Sequence, residues 1–188
     1  AKLTGAINTI VNRDGKLFGT STDGAGFFKS LKHFKVKGSA ITVIGAGGAA
    51  RSIIAEAAVQ GAGQITVYNR TYKPELFADY PGNIVFKPLS DLTELIGDLL
   101  VNTTSLGMDG VSLPIAMALQ LPKDMLVADV IYQPIETPLL AYAKAQGNPT
   151  VNGLGMLLYQ AAESFKLWTG HEMPTDIILK KLEEKIYG

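Results

Sequence analysis

The chain has no cysteine, which excludes disulfide scaffolds, thiolate metal sites and thiol nucleophiles together. It has no excess of either charge: 17 Lys and Arg balance 17 Asp and Glu, so no basic field draws it onto phosphate backbones or anionic lipid, and nucleic acid is not expected as a partner. Long hydrophobic runs are also missing. The longest nearly apolar stretch, Ala40 to Ala50, falls well short of the roughly 18 residues of a membrane span, and residues 1–15 carry no secretory pattern. A cytoplasmic setting is therefore the default. What is present is apolar: 47% of 188 residues are hydrophobic and only 18% charged, enough to bury a real core in about one domain.

The first 35 residues and the rest are patterned differently. Asp14-Gly15, between apolar runs at Ile7 to Val11 and Leu17 to Gly19, predicts a two-stranded hairpin, because glycine accepts the positive φ such a turn requires. Thr22-Asp23-Gly24 then precedes Phe27, Phe28 and Leu31, at helical spacing. From Ser39 strands and helices alternate. Strands are expected at Ile41 to Ile44, Gln64 to Tyr68, Ile84 to Phe86, Leu99 to Asn102, Met125 to Val130 and Thr150 to Val151. Helices are expected at Ala49 to Gln60, Glu75 to Tyr80, Leu92 to Ile96 and Pro138 to Gln146. Such alternation predicts an α/β fold, a doubly wound parallel sheet covered on both faces. Two closing helices, Met156 to Trp168 and Thr175 to Tyr187, follow it.

Gly45-Ala46-Gly47-Gly48-Ala49-Ala50 sets G-x-G-x-x-A between a predicted strand and a predicted helix, as a dinucleotide-binding fingerprint requires. Gly45 permits the tight turn, Gly47 lets the backbone approach a pyrophosphate, and Ala50 lets the helix pack close to the sheet. Amides at the helix start would hold the phosphates. A glycine-rich turn selected for packing alone is the plainer alternative. The next strand ends Tyr68-Asn69-Arg70-Thr71, with no acid before Glu75, which favours a 2′-phosphate over a free ribose hydroxyl and hence NADP over NAD. Asp23, on these residues alone, reads as a helix cap or turn former; Gln160 reads as one polar position on an amphipathic helix, and Asn8 as a polar strand-edge residue. His33 and His171 are too isolated for a metal site or a catalytic triad, and no metal is expected.

Seven separated strings occur in one order: Gly5-Ala-Ile-Asn8-Thr9, Ser21-Thr22-Asp23-Gly24, Gly45 to Ala49, Asn69-Arg70-Thr71, Asn102-Thr-Thr-Ser-Leu-Gly107, Tyr132-Gln-Pro134 with Thr137-Pro138-Leu139, and Gly153-Leu-Gly-Met156 with Gln160. Together they resemble the shikimate dehydrogenase family over nearly the whole chain. The resemblance implies reversible, NADP-dependent reduction of 3-dehydroshikimate to shikimate in aromatic biosynthesis, a small-molecule substrate, and an assembly that allows a homodimer. It implies Asp23 as the catalytic aspartate, with Asn8, Asp23, Tyr132 and Gln160 facing substrate. Cofactor contacts are implied for Gly45, Ala46, Gly47, Gly48, Ala49, Asn69, Arg70, Thr71, Lys73, Asn102, Thr103, Val130, Gly153 and Met156. Two departures stand out: Ser21 replaces the usual Asn before the Thr-Asp-Gly string, and Pro74 stands where many NADP-using members carry a second Arg, leaving Lys73 as a substitute point charge.

The resemblance divides the chain into a substrate-domain remnant (1–35), a dinucleotide-binding domain (36–152) and helices returning to the substrate domain (153–188). It also implies roughly 80 to 100 residues ahead of Ala1, including the lysine that partners the catalytic aspartate, so the chain is expected to be a fragment that keeps cofactor binding with little turnover. Two alternatives stay open at this point: an NAD-using quinate/shikimate dehydrogenase, which Pro74 keeps in play, and a cofactor-binding module with no turnover.

Overall fold

A computed structural model describes residues 4–188 of the chain. Its centre is a six-stranded parallel sheet, formed where β-branched and aliphatic residues run uninterrupted, as strands buried on both faces require. The strands are β3 (Ala40–Ile44), β4 (Gln64–Asn69), β5 (Ile84–Pro88), β6 (Leu99–Asn102), β7 (Leu126–Asp129) and β8 (Thr150–Val151), in the order β5-β4-β3-β6-β7-β8. The order reverses between β3 and β6, where Ile44 pairs with Asn102 at the carboxyl ends. A crevice at such a reversal is the usual ligand position in this architecture. Ahead of the sheet, β1 (Thr9–Arg13) and β2 (Lys16–Thr20) form a separate antiparallel ribbon. Its turn has Asp14 and Gly15 both at positive φ, 52° and 81°, the geometry the Asp-Gly pair predicts.

The two faces of the sheet are covered differently. Ile41, Val43, Ile65, Val67, Leu99 and Val101 point to one face, where they share a core with Phe27 and Phe28 of α1 (Asp23–Ser30), Ile53 and Ile54 of α2 (Gly48–Val59), and Met156 of α4 (Leu154–Thr169). Ile53 and Ile54 are completely buried, each contributing about 1.5–3 kcal/mol by leaving water. Ile44, Leu100 and Val127 point to the other face, against Leu139, Leu140 and Ala143 of α3 (Pro138–Ala145) and against Leu92, Leu95, Ile115, Leu119 and Leu121 from loops. The expected helix at Leu92–Ile96 is irregular chain, following a single 3-10 turn at Leu89–Asp91. Its Leu92 and Leu95 cover the sheet without needing a helix. The helix expected at Glu75–Tyr80 is likewise a short 3-10 turn, Pro74–Phe77.

The expected division at residues 35 and 152 does not divide the core. Phe27 ahead of it and Met156 behind it lie in the same hydrophobic cluster as the central strands. Two glycines make this packing possible: a Cβ on Gly24 would fall 2.3 Å from Ser52 O on α2, and one on Gly26 would fall 2.4 Å from Gln160 N on α4. Helix α1 is thus pinched between α2 and α4. The last helix, α5 (Thr175–Tyr187), is mostly exposed and returns to the β7 loop, where Tyr187 Oη donates to Tyr132 O over 2.6 Å.

Candidate active site

Three of the four expected substrate residues meet through direct hydrogen bonds. Asn8, just ahead of β1, donates from Nδ2 to Asp23 Oδ1 at 2.7 Å and, more weakly, to Gln160 Oε1 at 3.4 Å. Its Oδ1 accepts from Thr22 N at 3.0 Å and Thr9 Oγ1 at 2.9 Å, so the amide is oriented from both sides. Beneath it, Ser164 on α4 links the buried hydroxyls of Thr9 and Thr22 at 2.6 and 3.1 Å. Asp23 is partly buried. That burial pushes its pKa above the ordinary carboxylate value, outweighing the Asn8 and Ser21 hydrogen bonds that pull it down. Tyr132 stands apart from this trio, exposed in the wall of a different pocket.

The glycine loop lies beside the trio. An added Cβ on Gly48 would come within 3.9 Å of Ala6 Cβ, and Ser21 Oγ shares a 2.9 Å hydrogen bond with Ser52 Oγ on α2. Within the cradle the glycines divide by cause. Gly45 sits at φ +107°, with Thr103 Oγ1 2.5 Å from where a Cβ would stand, so the fold itself demands glycine there. Gly47, the N-cap of α2, has nothing within 4 Å of that position. Packing alone does not account for this opening, whereas a pyrophosphate approaching the helix start fits it. The cradle therefore suits a dinucleotide.

From there two neighbouring pockets, sharing Thr104 and Ser105, lie along the carboxyl edge of the sheet. Asn69 and Arg70 at the end of β4 line one pocket with Gly45, Thr104 and Leu106. Arg70, Thr71 and Lys73 are exposed, and Asn69 Nδ2 donates to Thr71 O at 2.9 Å, fixing the turn that presents Arg70. Beyond β6 a larger pocket of about 930 Å³ opens between Thr103–Ser105 on one side and Val130–Ile135 on the other, closed at one end by Ile186 and Tyr187.

Three of the expected cofactor residues also hold the frame. Asn102 is completely buried and its amide is fully engaged: Nδ2 donates to both Asp129 oxygens (3.1 and 3.2 Å) and to Leu106 O (3.0 Å), while Oδ1 accepts from Thr104 N (3.0 Å) and Thr104 Oγ1 (2.7 Å). It shapes the loop and offers no free atom to a ligand. Gly153 is glycine because Val130 O lies 1.9 Å from where its Cβ would be, and Met156 is turned into the sheet core. Asp129, which the sequence reading passed over, is the acceptor at the centre. It also takes Ile131 N at 3.1 Å and Thr137 Oγ1 at 2.8 Å, and burial raises its pKa against the pull of these bonds. Its side-chain partners lie 8 and 27 residues away, so no local pattern signals it.

Among the described residues no cluster of His, Asp or Glu could hold a metal ion, and no helix is long and apolar enough to cross a membrane.

Residues 29–130 match the family Shikimate / quinate 5-dehydrogenase, and residues 153–183 match the Shikimate 5'-dehydrogenase C-terminal domain. A shikimate dehydrogenase (NADP(+)) of Streptococcus pneumoniae (strain JJA) is 50% identical over 198 residues, covering 98% of this chain and 70% of the relative. Among solved structures, 5-ketofructose reductase of Gluconobacter sp. strain CHM43, in ligand-free form, superposes with a TM-score of 0.90 at 37% identity, covering 98% of this chain and 70% of that one. Shikimate 5-dehydrogenase from Listeria monocytogenes, in complex with shikimate and NAD, superposes with a TM-score of 0.87 at 34% identity, covering 96% and 69%. With the doubly wound sheet, the glycine cradle and the polar trio in place, these matches make the chain a member of the shikimate/quinate dehydrogenase family.

Proposed function

We propose that the chain is an NADP-dependent oxidoreductase interconverting 3-dehydroshikimate and shikimate. The observation that carries this reading is the meeting of Asn8, Asp23 and Gln160 beside the glycine cradle, from parts of the chain up to 152 residues apart. Bound NADP would supply hydride exchange at its nicotinamide ring. The glycine cradle and the α2 amides would hold its pyrophosphate, and Arg70 would pair with the 2′-phosphate that separates NADP from NAD. The Listeria enzyme is in complex with NAD; the choice between the two dinucleotides falls to the end of β4, where this chain carries Arg70. The name of the Streptococcus relative supports NADP.

Ketone reduction requires a proton at oxygen as hydride reaches carbon, and the reverse reaction requires its removal. Asp23 is suited to that exchange because its raised pKa lets it hold a proton closer to neutral pH than an exposed aspartate would. Asn8 fixes the carboxylate's direction, and Gln160 gives a second polar contact for a polyhydroxylated ring. Among the described residues no cation forms an ion pair with Asp23; Lys166 is engaged with Glu172.

The test is titration of the purified chain with NADP+, alone and with shikimate, followed by assay of shikimate-dependent NADPH formation. Binding of NADP+ strengthened by shikimate is expected. With no ion-pair partner for Asp23 among the described residues, turnover is expected below that of the Streptococcus relative by about 10²–10⁴, the usual yield of general acid-base catalysis. Failure to bind NADP+ would overturn the reading.

A further inference from the structure

We propose that Asp129 is the positioning residue of the cleft: a single buried carboxylate that fixes, at one point, the two loops walling the large pocket beyond β6. The inference rests on the reading that this cleft holds NADP. One wall is Thr103–Ser105 and the other Val130–Tyr132. Asp129 reaches the first through Asn102, whose Nδ2 it binds at 3.1 and 3.2 Å, and the second directly, through Ile131 N at 3.1 Å. A third tie, Thr137 Oγ1 at 2.8 Å, joins it to the N-cap of α3, where the Thr137 hydroxyl also accepts from Leu140 N. Asp129, Asn102 and Thr137 are each at most 1% exposed, so water cannot substitute for any of these bonds.

A carboxylate is the group this arrangement needs, because every partner is a donor and an ionised carboxylate only accepts. The consequence is transmitted through Asn102. With its Nδ2 held by Asp129 and Leu106 O, its Oδ1 can face only Thr104, where it accepts from both the backbone amide and the hydroxyl. Flipping that amide would set donor against donor at Thr104 N. Asp129 thereby selects one of two amide orientations, and with it the course of the 103–106 loop. Stability alone does not favour such a residue: a buried carboxylate is costly to desolvate, and among the described residues no cation offsets the charge at Asp129. What the carboxylate adds is a fixed spacing between the two walls.

The experiment compares two ligands on the purified chain. On that reading NADP+ would reach from the Arg70 pocket into the large pocket, whereas adenosine 2′,5′-bisphosphate would reach only the Arg70 end. Asp129→Asn nearly conserves shape but places a donor among donors. It is expected to weaken NADP+ by about tenfold, the usual worth of one charge-assisted hydrogen bond, with the bisphosphate little changed. Thr137→Val removes one donor, leaves the carboxylate in place, and is expected to act in the same direction to a smaller degree; it decides the matter if Asp129→Asn does not fold. Unchanged NADP+ affinity, or equal loss of both ligands, would overturn the inference by reducing Asp129 to a structural residue. Absence of NADP+ binding by the parent chain would instead overturn the cofactor reading.

Discussion

The side-chain amide of Asn8 donates to the Asp23 carboxylate over 2.7 Å, joining the residue that enters the hairpin to the first residue of α1. The contact depends on close helix packing. Because Gly24 and Gly26 carry no side chain, α1 lies against both α2 and α4, which brings Asp23 within reach of Asn8, whose amide also reaches Gln160 on α4. An aspartate that could serve simply as a helix cap makes no capping bond here: the N-cap residue is Thr22, and its side chain does not cap the helix. The Asp23 carboxylate is turned to Asn8 instead.

The raised pKa of Asp23 has a defined effect on stability. A carboxylic acid whose folded pKa exceeds its unfolded value stabilises the fold fully below about pH 4, and that contribution is lost as pH rises through the folded value. Asp23→Asn keeps an acceptor for Asn8 and removes the titration. The stability of Asp23→Asn relative to the parent should therefore improve as pH rises above about 4, because Asp129 titrates alike in both proteins and cancels. Urea denaturation at a series of pH values reads the difference directly, and a pH-independent difference would refute the burial argument.

Arg70 is exposed at the end of β4, and no acid follows until Glu75. Its pairing with a 2′-phosphate should be worth about 1.5 kcal/mol, the lower part of the range for charged hydrogen bonds because solvent screens the site. Arg70→Ala should weaken NADP+ about tenfold and leave NAD+ unchanged, narrowing the preference between them. Calorimetric titration of both cofactors against both proteins checks it, and equal affinities in the parent would remove the basis for the assignment.

Features carried by local chemistry were legible in the sequence. Asp14-Gly15 specifies its turn within two residues, and the glycine loop sits between a strand and a helix as its pattern requires. The failures share a cause. Leu92, Leu95 and Ile96 have spacing that suits a helix, but only Leu92 and Leu95 cover the second sheet face, which an irregular loop does equally well, and Ile96 is exposed. Asn102 follows an apolar strand and is expected at the cofactor; that its side chain also braces the loop shows only when the distant Asp129 is folded against it. Asp129 itself, between Ala128 and Val130, looks like a polar interruption until Asn102 and Thr137 are folded against it. Side chains whose meaning depends on partners far along the chain cannot be read from spacing.

Gly45 and Gly47, two residues apart in one loop, should respond to substitution in opposite ways. At Gly45 the backbone is left-handed, and any Cβ meets Thr103 Oγ1 at 2.5 Å, while that hydroxyl is committed to Ile44 O by a 2.6 Å hydrogen bond. Gly45→Ala must strain the backbone and displace Thr103, at a cost of about 1–3 kcal/mol, so the melting temperature should fall whether or not cofactor is present. At Gly47 the space is open and φ is −76°, an ordinary value for any residue. Gly47→Val should therefore fold and melt close to the parent, yet place two methyl groups where a pyrophosphate would approach the α2 amides, abolishing NADP+ binding. Circular dichroism melts with and without NADP+ separate the two: Gly45→Ala melts low in both conditions, and Gly47→Val melts normally but gains nothing from cofactor. If Gly47→Val were stabilised by NADP+ as much as the parent, the open space at the start of α2 would not be the phosphate cradle.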